Sequence, residues 1–291
     1  MLLIVGSKGL IGRYTKAYWR ANGGKVICTS HGPGEDLCLD LREPVGNFTT
    51  LLPGGVTHAL ICSGITAIDN CCRDPETTRI FNVIHTIELL SGLLKHSITP
   101  IFCSSDLVFR GDRGYYSEED ARYPTTEYGR QKKVVEDFLL GQDDPFIIIR
   151  MSKLYSLEKD DPSPVGQIIN SLLKGNAIRC ADDQVVCPTC VDDISRAIKL
   201  LIDSKATGVY HLAAPKVYTR YTLGLAIAEP MGLNQLILRC SIRDFNFADP
   251  RPANNSLNVS KFLLSYGFEF STLESNLPTI LYKRSYRECG S

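Results

Sequence analysis

The chain opens "MLLIVGSKGLIGRY", and no other stretch narrows the choice of fold as much. A short apolar run, Leu2 to Val5, leads directly into Gly6, Gly9 and Gly12, and then into a segment of helical character to about residue 22. Glycine permits a tight turn and lets backbone N–H groups approach a ligand that side chains would hold away. A strand, such a turn and a helix N-terminus together favour a phosphate, because free amides and the helix dipole point at it. The GxxGxxG spacing therefore predicts a first βα unit that binds a dinucleotide, with Leu10 and Ile11 beside the glycines in contact with it.

Further apolar runs follow at intervals: "KVICTS" (25–30), "THALICSG" (57–64), "TPIFCSS" (99–105), "PFIIIR" (145–150) and "GVYHLAA" (208–214). Nearly continuous apolar strands alternating with helices indicate a parallel sheet covered on both faces. The fold class expected is α/β: a Rossmann-type doubly wound parallel sheet with a smaller C-terminal substrate-binding lobe. Residues 1–150 plus about 186–215 would form the NAD(P)-binding part. Residues about 151–185 plus 216–291 would form the lobe. Over residues 76–96, the spacing of Ile80, Val83, Ile84, Ile87, Leu90 and Leu94 predicts one apolar helix face.

The 291 residues carry 32 basic and 32 acidic side chains, so net charge gives no reason to expect nucleic acid or an anionic membrane as partner. No apolar run approaches the length of a membrane span, and the N-terminus has no basic leader, so a cytoplasmic protein is expected. The 11 cysteines are irregularly spaced. Several, such as Cys28, Cys62 and Cys103, sit in apolar runs and read as small buried hydrophobes. "CPTC" (Cys187 to Cys190) has no second pair or suitably spaced histidine, and no metal is expected.

The end of the second strand bears on the cofactor. An acid there would bind the adenosine ribose. The chain has Thr29, Ser30 and His31 instead, which favours NADPH and leaves NADH open. His31 reads equally as an ordinary loop residue. Asp40 and Leu41 close the next apolar stretch, where they would flank the adenine; Asp40 could instead cap a turn.

"EYGRQK" (127–132) places Tyr128 and Lys132 four apart, on one face of a helix. An ammonium beside a phenol favours the phenolate and would lower its pKa. Ser105, at the end of "TPIFCSS", adds a hydroxyl at the carboxyl edge of the sheet; Ser104 is the second choice. A phenol, an ammonium and a hydroxyl aimed at a carbonyl oxygen are what hydride transfer to that carbonyl requires, since negative charge builds there.

Taken together, these motifs resemble the extended short-chain dehydrogenase/reductases, in particular the dTDP-4-dehydrorhamnose reductase group. "VGSKGLIG" is similar to that family's cofactor turn, and "SGITAIDNCCRDPE" to its segment after the fourth strand, including Asp69. "FNV" supplies Asn82, "CSSDLVFRG" resembles STDYVFDG, and "YGRQK" matches YGxxK. "DDQVVCPTCVDDISRAI" and "RPANNSLNVSK" complete the resemblance, the latter with Arg251, Asn255 and Lys261. It implies that Ser105, Tyr128 and Lys132 are catalytic. It implies that Cys62, Ser63, Gly64 and Asn82 join the cofactor site. Asp106, Lys153, Gln184 and Arg251 would meet a nucleotide-linked keto sugar, with the Arg251 guanidinium on its diphosphate. Dimers are common for this fold, so a homodimer is compatible with the reading.

The chain departs from the family at points that matter. Leu107 replaces the tyrosine after the aspartate, and "RMSKLY" puts Lys153 where the family has a tryptophan. An aromatic face packs on a sugar, whereas an ammonium binds polar or charged groups. Tyr14 stands in place of a glutamate associated with magnesium. The acid pair that dehydratases carry is broken, since Leu107 follows Asp106. Reduction of a 4-keto sugar is thus the expected activity, with an epimerase or a non-catalytic NADP-binding subunit as alternatives.

Overall fold

The computed structural model describes residues 1–285. Six parallel strands come first: β1 (Leu2–Val5), β2 (Val26–Ser30), β3 (Leu37–Cys38), β4 (His58–Ile61), β5 (Thr99–Ser105) and β6 (Ile147–Met151). Four short strands follow, β7 (Leu154–Tyr155), β8 (Ile178–Ala181), β9 (Val185–Val186) and β10 (Thr189–Cys190). β11 (Gly208–Leu212) then returns to the large sheet, ahead of β12 (Tyr218–Thr219) and β13 (Ile237–Cys240). The large sheet has seven strands in the order β3-β2-β1-β4-β5-β6-β11, every pair parallel. This is the Rossmann-type doubly wound arrangement. The strand order reverses between β1 and β4, and ligands bind at the carboxyl ends of strands beside such a reversal.

The helices are α1 (Leu10–Ala21), α2 (Ile68–Arg73), α3 (Pro75–Arg79), α4 (Thr86–Lys95), α5 (Glu127–Leu140), α6 (Pro164–Leu173), α7 (Val191–Asp203), α8 (Arg220–Ala228), α9 (Ser260–Tyr266) and α10 (Leu273–Ser285). They explain why the strands are apolar throughout. Alternate residues of a strand point to opposite faces. Leu2 and Ile4 of β1 share a core with Ile194, Ala197 and Ile198 of α7, while Leu3 and Val5 share another with Leu89, Leu90 and Leu93 of α4. A third core, built by α6, α8, α10, β8 and β13 around Ile168, Ile169, Leu223, Ile227 and Ile237, forms a smaller body.

Two expectations change. Between α3 and α4 the chain makes a π-helical segment, Ile80–His85. It takes more residues per turn than an α-helix, so spacing read at 3.6 residues loses register there. Ile80 and Ile84 end up 41% and 46% exposed, whereas Asn82, Val83 and His85 turn inward. The second change concerns 216–291. Phe262 of α9 and Phe268 lie in the core of the large sheet with Tyr210 and Leu212, not in the small body. Among the described residues, no helix is long and apolar enough to cross a membrane.

Candidate active site

The glycine turn is held by backbone contacts. Gly6 has φ +88°, and a Cβ there would lie 2.7 Å from the Ser63 nitrogen. A Cβ on Gly12 would lie 2.4 Å from the Gly6 carbonyl oxygen, so α1 sits directly on the turn. These approaches bring the ends of β1 and β4 together around a cavity of about 490 Å³. Gly6, Gly9, Ser30, His31, Asp40 and Leu41 line it, as do Cys62, Ser63 and Gly64, with Lys8 and Arg42 at its edge. The Ser63 hydroxyl is buried and has no hydrogen-bond partner in the protein. A cradle that admits no Cβ, with an orphaned hydroxyl against it, fits a dinucleotide.

A second cavity of about 370 Å³ shares Gly9, Cys62 and Gly64 with the first and carries the cleft on past Leu10 and Ile11. Ser105, Asp106, Tyr128, Ser152 and Lys153 line its far side. β5 delivers Ser105 and α5 delivers Tyr128. Thr126 caps α5 by accepting from the Gly129 N–H at 3.1 Å. The glycine after Tyr128 has a steric reason: a Cβ at Gly129 would lie 2.1 Å from the Leu107 carbonyl oxygen. Only glycine lets the helix bring Tyr128 so close to the turn after Ser105.

The two candidate serines part company. Ser104 donates to Glu136 Oε1 at 2.5 Å, and Glu136 is fully buried in an ion pair with Arg150 at 2.8 Å. Ser105 instead donates to Asp106 Oδ1 at 2.9 Å and accepts from the Leu107 N–H at 3.2 Å, beside Tyr128 in the cleft. Both serines line the cavity, but the Ser104 hydroxyl is committed to Glu136.

Lys132 lies behind Tyr128. Its Nζ donates to the Cys103 carbonyl oxygen at 2.8 Å and stands 4.5 Å from the Phe102 ring centre and 5.7 Å from that of Tyr128. Burial brings the Lys132 ammonium down to about 8. Tyr128 does not titrate low, contrary to the expectation from sequence. Burial pushes the phenol well above its ordinary value, and the nearby Asp106 carboxylate adds to the shift. In this geometry desolvation of the hydroxyl outweighs the ammonium, whose hydrogen bond goes to Cys103.

Other expected residues have polar groups held by the protein itself. Asn82 accepts from the Ile65 N–H at 2.8 Å and donates to the Ile65 carbonyl at 3.0 Å and to Gln131 at 2.8 Å. It is a bracket between the Gly64–Ile65 loop and α5, with its amide committed to protein. Asp40 makes a two-oxygen pair with Arg42, at 2.9 Å from Nε and 2.5 Å from Nη2. Gln184 accepts the Arg220 N–H through its carbonyl at 2.9 Å. Arg251 pairs with Asp69 at 2.9 Å, donates to the Asp249 carbonyl at 2.7 Å and lies over the Phe247 ring at 4.4 Å. It lines a separate cavity with Phe245, Phe247 and Asp183. Cys187 and Cys190 are buried free thiols, each pushed up to about 12 by burial, which makes them poor nucleophiles.

Sequence reasoning missed Asp249 and Arg220. Asp249 is buried, and its Oδ2 accepts the Glu127 N–H at 2.7 Å, at the start of the helix that carries Tyr128 and Lys132. It adjoins the "RP" of the C-terminal motif, the one signal that could have marked it. Arg220 begins α8 and lies close enough to Lys153 to disfavour its charge, and no spacing pattern announces it.

A model of the RmlD substrate binding domain matches residues 1–285. The chain belongs to that family. RmlD-family likeness extends over whole chains. A probable low-salt glycan biosynthesis reductase of Haloferax volcanii is 26% identical over 287 residues, covering 95% of this chain and 96% of that protein. The methionine adenosyltransferase 2 subunit beta of Xenopus laevis is 26% identical over 269 residues, covering 89% and 80%. In fold, a dTDP-4-dehydrorhamnose reductase of Bacillus anthracis, solved in complex with NADP, superimposes with a TM-score of 0.84 at 20% identity, over 97% of this chain and 98% of that one.

Proposed function

We propose that this RmlD-family chain is an NAD(P)H-dependent reductase of a nucleotide-linked 4-keto sugar. The observation that carries the reading is the meeting of Tyr128 and Ser105 on one cleft wall, backed by Lys132, in direct continuation of the glycine cradle. A bound nicotinamide would supply hydride at the junction of the two cavities. Ser105 orients the substrate carbonyl through its hydroxyl. Tyr128 gives its proton to the carbonyl oxygen as charge builds there. Its raised pKa keeps it protonated at neutral pH, so the proton is in place when charge builds on the carbonyl oxygen. The Lys132 ammonium sets the potential behind the phenol. The relatives of printed reductase function and the NADP complex support the same reading.

The finer assignments follow from the lining. Ser30, His31, Lys8 and Arg42 stand at the adenosine end without an acid closing β2, which supports NADPH ahead of NADH. The division into a dinucleotide part, 1–150 with about 186–215, and a lobe, about 151–185 with 216–291, holds in this proposal except that 260–270 packs with the large sheet.

The test is to mix the protein with NADPH or NADH and a panel of nucleotide-linked 4-keto sugars and to follow the absorbance of reduced cofactor. Oxidation matched by alcohol product supports the proposal. Isomerised sugar without net loss of cofactor would make it an epimerase. Cofactor binding with no turnover on any sugar would favour an interaction subunit, a reading that the likeness to the methionine adenosyltransferase subunit keeps in view.

A further inference from the structure

The far end of the cleft places an ammonium, that of Lys153, among the residues that would surround the sugar. Lys153 lines the second cavity with Ser105, Asp106 and Tyr128, so its ammonium faces the reacting groups. Among the described residues that ammonium makes no hydrogen bond and no ion pair. Asp106 faces it, yet the Asp106 carboxyl is already bonded by the hydroxyls of Ser105 and Ser152. Two further cations, Arg220 and Arg251, lie near enough to Lys153 to disfavour its charge. Arg251 is offset by Asp69. The Arg220 guanidinium makes no ion pair among the described residues.

A nucleotide diphosphate brings two negative charges, and the two guanidiniums match phosphate geometry better than an ammonium does. Arg251 also lines the separate aromatic cavity and not the one that holds Ser105 and Tyr128. Lys153 is therefore the cation left beside the sugar itself. Burial disfavours its charge, and an anionic group on the sugar would restore it. Burial also pushes the Asp106 carboxyl up, which eases its repulsion of a second carboxylate in the same space.

We infer that the cleft takes a nucleotide-linked sugar bearing a carboxylate, and that the Lys153 ammonium binds this carboxylate. The inference rests on the proposed nucleotide-sugar site but not on turnover. Calorimetry in the presence of NADP+ would compare UDP-glucuronate with UDP-glucose, and the same pair on thymidine diphosphate. The acid should bind at least about tenfold more tightly than the neutral sugar, the scale of one charged hydrogen bond. Lys153→Met should lower that ratio by roughly 10- to 100-fold. Lys153→Arg, which keeps the charge, should retain most of it, and so separates lost charge from lost fold.

Equal binding of acid and neutral sugar by the unaltered protein would overturn the inference, as would no binding of either. So would a Lys153→Met protein that loses affinity for both sugars alike, since the ammonium would then serve the diphosphate or Asp106. A protein that reduces no keto sugar, but keeps a Lys153-dependent preference for the acid, would lose the reductase reading and leave this one standing.

Discussion

At the glycine end of the cleft the constraints are steric: the turn at Gly6 abuts Ser63, Gly12 abuts the Gly6 carbonyl, and little room exists for any other residue. At the sugar end the constraints are electrostatic: Lys153, Arg220 and Asp106 face one another across space, and Arg251 is tied to Asp69. Backbone contacts cannot be exchanged by changing a side chain, so the first end is fixed by its glycines. Charges on side chains can be exchanged without moving the backbone. The second end can thus change substrate while the sheet and its turn stay as they are.

The comparison can be broken most decisively at the junction of the two ends. Tyr128→Phe should cut turnover by about 10²- to 10⁴-fold, the range for a lost proton donor, while cofactor affinity measured by fluorescence titration stays close to that of the unaltered protein. A small change in turnover would remove Tyr128 from its role. Next in size is Gly12→Ala. The added Cβ meets the backbone of Gly6 and Ser7, so it should cost about 1–3 kcal/mol of stability by overpacking, visible in denaturant unfolding, and should abolish cofactor binding. Tolerance of alanine would mean that the glycine end is not sterically determined.

The pH profile sharpens the comparison further. Lys132 carries its charge below about 8 and loses it above. If the ammonium is needed, kcat/KM in the free protein should fall about tenfold per pH unit on an alkaline limb beginning near 8, and Lys132→Arg should move that limb upward. A profile flat to pH 10 would count against a charged Lys132. The smallest expected effect is at Asp249. Asp249→Ala removes an acceptor from the first turn of α5 and should cost about 1 kcal/mol, with a several-fold loss in kcat at little change in KM. Asp249→Asn, which keeps an acceptor, should recover most of kcat.

Much of the site was legible because its residues obey local rules. Glycines after a strand, a phenol and an amine four apart, and a hydroxyl at a strand end each imply their geometry over a few residues. Ser105 ranks ahead of Ser104 on the same grounds, its place at the strand end. The structure adds that Glu136, remote from Ser104 in the chain but on the helix that carries Tyr128, takes the Ser104 hydroxyl. Asn82 shows the limit of such rules. Its place in the chain suggests a cofactor contact, but hydrogen bonds to Ile65 and Gln131 make it a bracket. Ile80 and Ile84 were misplaced because a π-helical segment changes the period on which the expectation depends.

From the amino-acid order alone came the alternation of strands and helices, the doubly wound sheet, the glycine turn and the expectation of a Ser105–Tyr128–Lys132 set. Each depends on periodicity or on contacts between near neighbours. Only the folded chain decided the protonation of Tyr128, the partner of Arg251, the return of Phe262 to the large sheet, and the nearness of Arg220 to Lys153. Those depend on how far a group is withdrawn from water and on which charges, remote in the chain, are brought beside it. Neither quantity exists until the tertiary structure has formed.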